Sequence, residues 1–433
     1  MAIIPAPTPT AARLSRADRF RHSLGAFSEP KYARYWLGSL ASVGAIQVVT
    51  MGMGWLIVED LGGSRLTLGY LGAAIAVPTI LVNLFGGVLA DRLDRRYIIM
   101  VISGATASLL TLLAFLVVTD RIAIWHVVAI AAAHGFIQGF DGPVRSSFFP
   151  LLIDRKHMMS AVALNSVMWQ FSRIVTPAIG GFAIDAMGTE SVFFAGAGGW
   201  VTMLVVMLSL RIPHSRPTAP RRVVFELQEG VRFIARNRLF ATLMPLTFAN
   251  MFFGMQYLHL MPLFARKHEV GSEGMGVLFM WLGLGALTGT LLVGRQQRSP
   301  HIGKIMLAGT FLFSIFVTAF AHAPSYRLAI VFIYFAGITN SSFLISSMTA
   351  LQLRVPPTLR GRVMGIYTIT FSLIPLGGMM GGAVAEVVGE SWAVTLAAGV
   401  LAAIVLYVFA AARGIRNLSG GDLEDQRSGP ATA

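Results

Sequence analysis

Gly86-Gly87-Val88-Leu89-Ala90-Asp91-Arg92-Leu93-Asp94-Arg95-Arg96 is the stretch whose reading decides the fold. It joins two apolar runs, 66–90 and 97–118, each long enough to cross a bilayer, which takes roughly 20 apolar residues. Five charges within six residues (Asp91, Arg92, Asp94, Arg95 and Arg96) must then occupy a tight turn at a membrane surface. An ordinary basic turn accounts for the arginines, but not for the spaced glycine and aspartate.

The rest of the chain repeats that pattern. Of 433 residues, 55% are apolar and only 12% charged, where soluble domains carry about 25% charge. This balance marks an integral membrane protein. Spans 1–12 are predicted at 35–58, 66–90, 97–118, 123–144, 160–186, 190–211, 239–264, 274–294, 302–322, 326–348, 363–386 and 392–412. The predicted fold is an all-α membrane protein with two six-helix bundles, 35–211 and 239–412. A segment 1–34 precedes them, a linker 212–238 joins them and a tail 413–433 follows. Residues 1–16 hold no apolar core of signal-peptide length, so no cleavage is expected. With no cysteine, disulfide and thiol chemistry are excluded.

The net charge of +14 invites a nucleic-acid reading, which its distribution removes. With both termini cytoplasmic, 28 of the 34 Lys/Arg fall in inside segments. Only Arg65, Arg121, Arg266, Lys267 and Arg327 fall outside, and Arg173 lies within a span. That is the positive-inside bias, so the charge sets orientation.

The longest hydrophilic stretch, 211–238, opens as a proline-rich basic linker. Residues 224–238 then place Phe225, Val231, Phe233 and Ile234 near helical spacing, predicting an amphipathic helix on the inner surface. The halves also carry traces of duplication. Gly86, Arg92 and Arg95 fall on Gly289, Arg295 and Arg298, with Gly294 standing where Asp91 would be. Pro177 and Gly180 in span 5 fall on Pro375 and Gly378 in span 11.

Gly87, Asp91, Arg92, Arg95 and Arg96 resemble the signature of the major facilitator superfamily, Gly-x-x-x-Asp-Arg-x-Gly-Arg-Arg, with Asp94 at its second glycine. The resemblance implies a substrate cavity at mid-membrane between halves that rock. It also implies a latch: Asp91 against the N-terminal end of span 11 near 361–364, where an anion is favoured, and the arginines against Asp141 of span 4. The simpler alternative is that the arginines only set topology.

Span 5 holds Thr176-Pro177-x-x-Gly180-Gly181, which resembles the antiporter motif Gly-Pro-x-x-Gly-Gly. Proline and glycine there permit bending and close packing. Arg173 carries a charge at depth, costing about 2.5–3.5 kcal/mol, and should face a cavity or an acid such as Asp141. Further candidates for the cavity are Gln47, His134, Gln138, Asn165 and Gln170 in the first half. In the second half they are Asn250, Gln256, Asn340 and Tyr367. For each, the plainer reading is an interhelical hydrogen bond.

Segments 139–146, 150–155, 163–166, 352–364 and 375–377 resemble the drug–proton antiporter branch, which includes enterobactin exporters and macrolide efflux proteins. Such relatives usually carry an acid after the glycine corresponding to Gly44, where this chain has Ala45. Candidate proton carriers are therefore Asp141, Glu59 and Asp60. The resemblance implies an exporter of an amphipathic or hydrophobic small molecule, driven by proton antiport, in the bacterial plasma membrane and monomeric. No cofactor, metal or nucleic acid is expected. Importer, lysophospholipid flippase and non-transporting sensor are the alternatives. An enzyme is disfavoured, since no Walker sequence, metal-ligand cluster or nucleophile–base spacing is present.

Overall fold

The computed structural model describes residues 25–92, 94–210, 223–296 and 299–419, the side chains of 84–92, 155, 223–227, 294–296, 352–353, 357–358 and 360–361 excepted. Helices occupy nearly all of it, because a chain in lipid must satisfy its backbone internally. In the first half these are α1 (Pro30–Trp55), α2 (Arg65–Arg92), α3 (Arg95–Val118), α4 (Ile124–Phe148), α5 (Met158–Met187) and α6 (Glu190–Ser209). A connecting helix, α7 (Val223–Arg236), follows. The second half holds α8 (Arg238–Ala249), α9 (Met261–Lys267), α10 (Gly271–Gln296), α11 (Ile302–Ala321), α12 (Tyr326–Arg354), α13 (Pro357–Ile369), α14 (Leu373–Val388) and α15 (Glu390–Ala411), then a short α16 (Arg413–Arg416).

A helix or helix pair lies at each of the twelve predicted stretches. Among the described residues, nine helices are long and apolar enough to cross a membrane. The polar residues of α4 and α5 keep those two out of the nine, and span 7 is not one helix. A π-turn at Asn250–Gly254 and a 3-10 turn at Gln256–Leu258 break it before Pro262 starts α9. Span 11 is likewise interrupted, by a 3-10 turn at Thr370–Ser372. Pro375, lacking an N–H, then sits in the first turn of α14, where that donor is not needed.

The duplication seen in the sequence recurs in the turns. α5 and α14 each end on a glycine in the left-handed region, Gly188 at φ 85° and Gly389 at φ 84°. Each is followed by an acid in the first turn of the next helix, Glu190 and Glu390. Apolar side chains face outward on many helices, Trp125 and Tyr407 among them, as a lipid-facing belt requires.

The halves meet along two helix pairs, α5 with α10 and α2 with α14. Glycines set both crossings. A methyl group on Gly181 would sit 2.4 Å from the Ser272 carbonyl, and one on Gly72 would sit 2.4 Å from that of Pro375. Only the absence of a side chain allows backbones this close.

Candidate functional site

A cavity of about 1110 Å³ lies between the halves, slightly larger than the usual range for small-molecule sites. The first half lines it through α1, α2, α4 and α5, and the second through α13 and α14. Tyr32 near the start of α1, Phe149 just past the end of α4 and Arg362 in α13 all belong to the face that carries the described ends of the chain, Gly25 and Ser419. At its deep end lie the mid-helix residues Thr50 and Ile75, with Pro375 opposite. The cavity therefore opens toward the terminal face.

One buried ion pair dominates the wall. Arg145 Nε lies 2.7 Å from both carboxylate oxygens of Asp141, one helical turn earlier on α4. Its Nη1 donates to Ser39 Oγ at 3.2 Å and its Nη2 to Ser42 Oγ at 3.0 Å, tying α4 to α1. The guanidinium also lies 5.4 Å from the Trp200 ring centre of α6. Asp141 is thus paired with Arg145, and the expected Asp141–Arg173 pair is corrected. Arg173 is exposed and has no ion-pair partner among the described residues.

The other sequence candidates separate by position. His134, Gln138 and Asn165 line the cavity, with Gln138 Nε2 3.5 Å from His134 Nε2. Gln47 and Gln170 are half-buried away from it. Asn250 is fully buried at the break in span 7, and Gln256 donates to the Ala393 carbonyl at 2.9 Å. Asn340 lies 3.9 Å from Met255 Sδ, and Tyr367 shares a 3.4 Å hydrogen bond with Ser347. The π-turn holds Asn250 and the 3-10 turn Gln256, and all four side chains are buried in the second half.

The span 5 motif divides between two neighbours. Thr176 and Gly180 face Gly44 and Val48 of α1, while Pro177 and Gly181 face Gly276 and Ser272 of α10. Thr176 donates to the Ser172 carbonyl. In the signature turn, the side chains of Gly87, Asp91 and Arg92 lie outside the described ones. Asp94 caps α3, its Oδ1 accepting from the Arg96 N–H at 2.9 Å, which explains an acid at the usual glycine. Arg96 donates to the Met207 and Leu208 carbonyls at the end of α6, and Arg95 reaches the Ser147 carbonyl at 3.5 Å.

The opposite face is shut by contacts between the two halves. Glu59 of the first half holds Arg266 of the second at 2.7 Å, and Arg65 holds Glu390 at 2.8 Å. The Leu66 N–H donates to Glu386 Oε2 at 3.0 Å, and Ser272 Oγ to the Gly181 carbonyl at 3.0 Å. Asp60 is exposed beside Glu59. At the other face, Arg362 pairs with Glu229 of α7 at 2.8 Å, docking the connecting helix beside the cavity mouth.

Residues 22–426 match the family described as transmembrane secretion effector, a group within the major facilitator superfamily. The chain belongs to this family. Transmembrane secretion effectors of this superfamily are transporters, and this member is a multi-pass membrane protein. It is 24% identical over 283 residues to the enterobactin exporter EntS of Shigella flexneri, covering 65% of this chain and 67% of that one. The EntS of Salmonella typhi is 24% identical over 286 residues, covering 65% and 68%. In structure it is similar to a bacterial homologue of the human lysosomal transporter Spinster in an inward-facing, occupied conformation. The TM-score is 0.70 at 15% identity, over 90% of this chain and 98% of that one. The nucleoside transporter NupG gives 0.68 at 15% identity, over 88% and 98%. These likenesses establish the superfamily fold.

Proposed function

We propose that this transmembrane secretion effector is a twelve-span secondary exporter of an amphipathic or hydrophobic small molecule, working by alternating access with proton antiport. The observation that carries the reading is the asymmetry of the two faces. The cavity is open where the termini lie, while the opposite face is closed by Glu59–Arg266 and Arg65–Glu390. One gate open and one shut is what alternating access requires of each state. The positive-inside bias puts the termini, and so the open mouth, in the cytoplasm, where an exporter loads. The exporter description of the EntS relatives supports the outward direction.

Two six-helix bundles, 35–211 and 239–412, rock about the α5–α10 and α2–α14 crossings. The chain works as a monomer in the bacterial plasma membrane, without cofactor or metal. The signature turn at Gly87, Asp91 and Arg92 closes the cytoplasmic face in the opposite state. Protons are carried by Asp141 in the cavity wall and by Glu59 and Asp60 on the outer face, which meet the two aqueous phases in turn. Moving one charge through 100 mV releases about 2.3 kcal/mol, enough to drive accumulation.

Proteoliposomes with an imposed pH gradient, screened over dyes, antibiotics, siderophores and lysolipids, test this. Gradient-driven outward accumulation of an amphipathic solute is expected, and gradient-independent flux overturns antiport. Arg173, exposed on α5 without an acid partner among the described residues, favours a second reading. On that reading a lysophospholipid phosphate meets Arg173, and lysolipid flux abolished by Arg173→Gln would replace the first.

A further inference from the structure

The cavity holds charge but offers none. Among the described residues lining it, the charged side chains are Asp141, Arg145 and Arg362. Arg145 spends its guanidinium on Asp141, Ser39 and Ser42, and the Asp141 carboxylate is engaged through both oxygens. Arg362 is held by Glu229 at 2.8 Å. A charged guest would leave water without meeting a free counter-charge, and burying an ion unpaired is costly. A fully hydrogen-bonded ion pair, by contrast, resists exchange, because removing one partner strands the other.

Among the described residues lining it, one buried side-chain atom lacks a hydrogen-bond partner. His134 is 4% exposed and lines the cavity, and its Nδ1 has no partner, while Nε2 faces Gln138. A buried polar atom left unsatisfied calls for a partner from whatever fills the space. Around it stand rings: Trp36, oriented by its Nε1–H donating to the Leu164 carbonyl at 3.2 Å, with Trp169, Phe149 and Phe371.

We infer that this cavity selects an uncharged, ring-bearing amphiphile whose hydrogen-bonding group meets His134. Anionic and cationic solutes of the same shape are rejected. The inference rests on the cavity being the transport site, and it names the substrate class for that site.

The test uses the full chain in lipid nanodiscs, reading quenching by four naphthalene probes of the tryptophan fluorescence to which Trp36 and Trp169 contribute from the cavity wall. These are 2-naphthylmethanol, 2-naphthylacetate, 2-naphthylmethyl-trimethylammonium and 2-ethylnaphthalene. The alcohol should bind at least about tenfold tighter than either ion, since each tenfold corresponds to about 1.4 kcal/mol of discrimination. It should also bind about three- to tenfold tighter than the hydrocarbon, the span of one net hydrogen bond. His134→Phe should erase the alcohol-over-hydrocarbon preference, and His134→Gln, which keeps a polar atom, should retain part of it. Melting curves verify that both variants fold. Equal or tighter binding of the acetate or the ammonium overturns the inference, as does a preference that survives His134→Phe. Failure of the exporter reading is distinguishable, because it would show as the expected binding order without gradient-driven flux.

Discussion

Glu59 at the end of the first span and Arg266 at the end of α9 meet at 2.7 Å across the boundary between the chain halves. Arg65 and Glu390 make the reciprocal contact at 2.8 Å, so each half contributes one acid and one base to the same closed face. Partly exposed pairs are worth about 0.2–1 kcal/mol each, or up to about fivefold in population. The Glu59→Gln/Arg65→Gln double variant should therefore open this face more often. The chain has no native cysteine, so one introduced at Thr50 can be labelled with an impermeant maleimide from that side. Labelling should quicken several-fold and be reversed by the swap Glu59→Arg/Arg266→Glu. An unchanged rate removes the lock.

The glycine crossings give a second expectation. Valine at Gly72 or Gly181 would press into the carbonyl of Pro375 or Ser272, and overpacking costs about 1–3 kcal/mol. Transport should fall more than tenfold in a protein that still purifies as one species. Gly399→Ala, where a methyl group meets nothing within 4 Å, should transport normally. Similar rates in all three variants would show that the close approach is incidental.

Asp141 and Arg145 are only 6% and 11% exposed at their side chains. Asp141→Asn alone leaves the guanidinium uncompensated, and breaking such a pair costs about 3–5 kcal/mol. The melting temperature should drop sharply and recover in Asp141→Leu/Arg145→Met. Should that double variant still couple flux to a pH gradient, Asp141 is not the proton carrier and Glu59 and Asp60 remain.

Asp94 caps α3 at the position of the signature's second glycine. Loss of a cap costs about 1 kcal/mol in alanine and only a few tenths in glycine. Thermal unfolding should rank Asp94→Ala below Asp94→Gly, with the latter near the parent. The reverse order would mean that the backbone there needs glycine-like freedom.

His268 follows the Arg266–Lys267 pair on the closed face, with Glu269 next and the Tyr326 ring 6.3 Å away. Burial, and then the adjacent Lys267 charge, hold its imidazole below the ordinary value. The fold around it thus favours the neutral ring, so the stability it contributes is complete above the unperturbed value near 6.5 and declines as pH falls below it. The melting temperature should therefore fall between about pH 7 and pH 5.5. His268→Gln should flatten that dependence, and a flat profile in the parent would count against it.

Not every contact was equally legible in the sequence. Asp141 and Arg145 stand four apart on a helix, a spacing that brings side chains together, and that signal would have found the pair. Asp94 before a helical run is likewise a readable cap. Glu59 and Arg266 are 207 positions apart and carry no such mark. The break in span 7 is written only faintly, in Gly254 and Pro262.

Membrane class, helical positions and charge asymmetry were set by the sequence alone, because the bilayer charges each residue for its polarity one position at a time. Only tertiary structure decided which charges neutralise one another, where the cavity opens and that Nδ1 of His134 in its wall lacks a partner among the described residues. Those facts depend on helices remote in the chain touching side by side, and local composition carries no record of that.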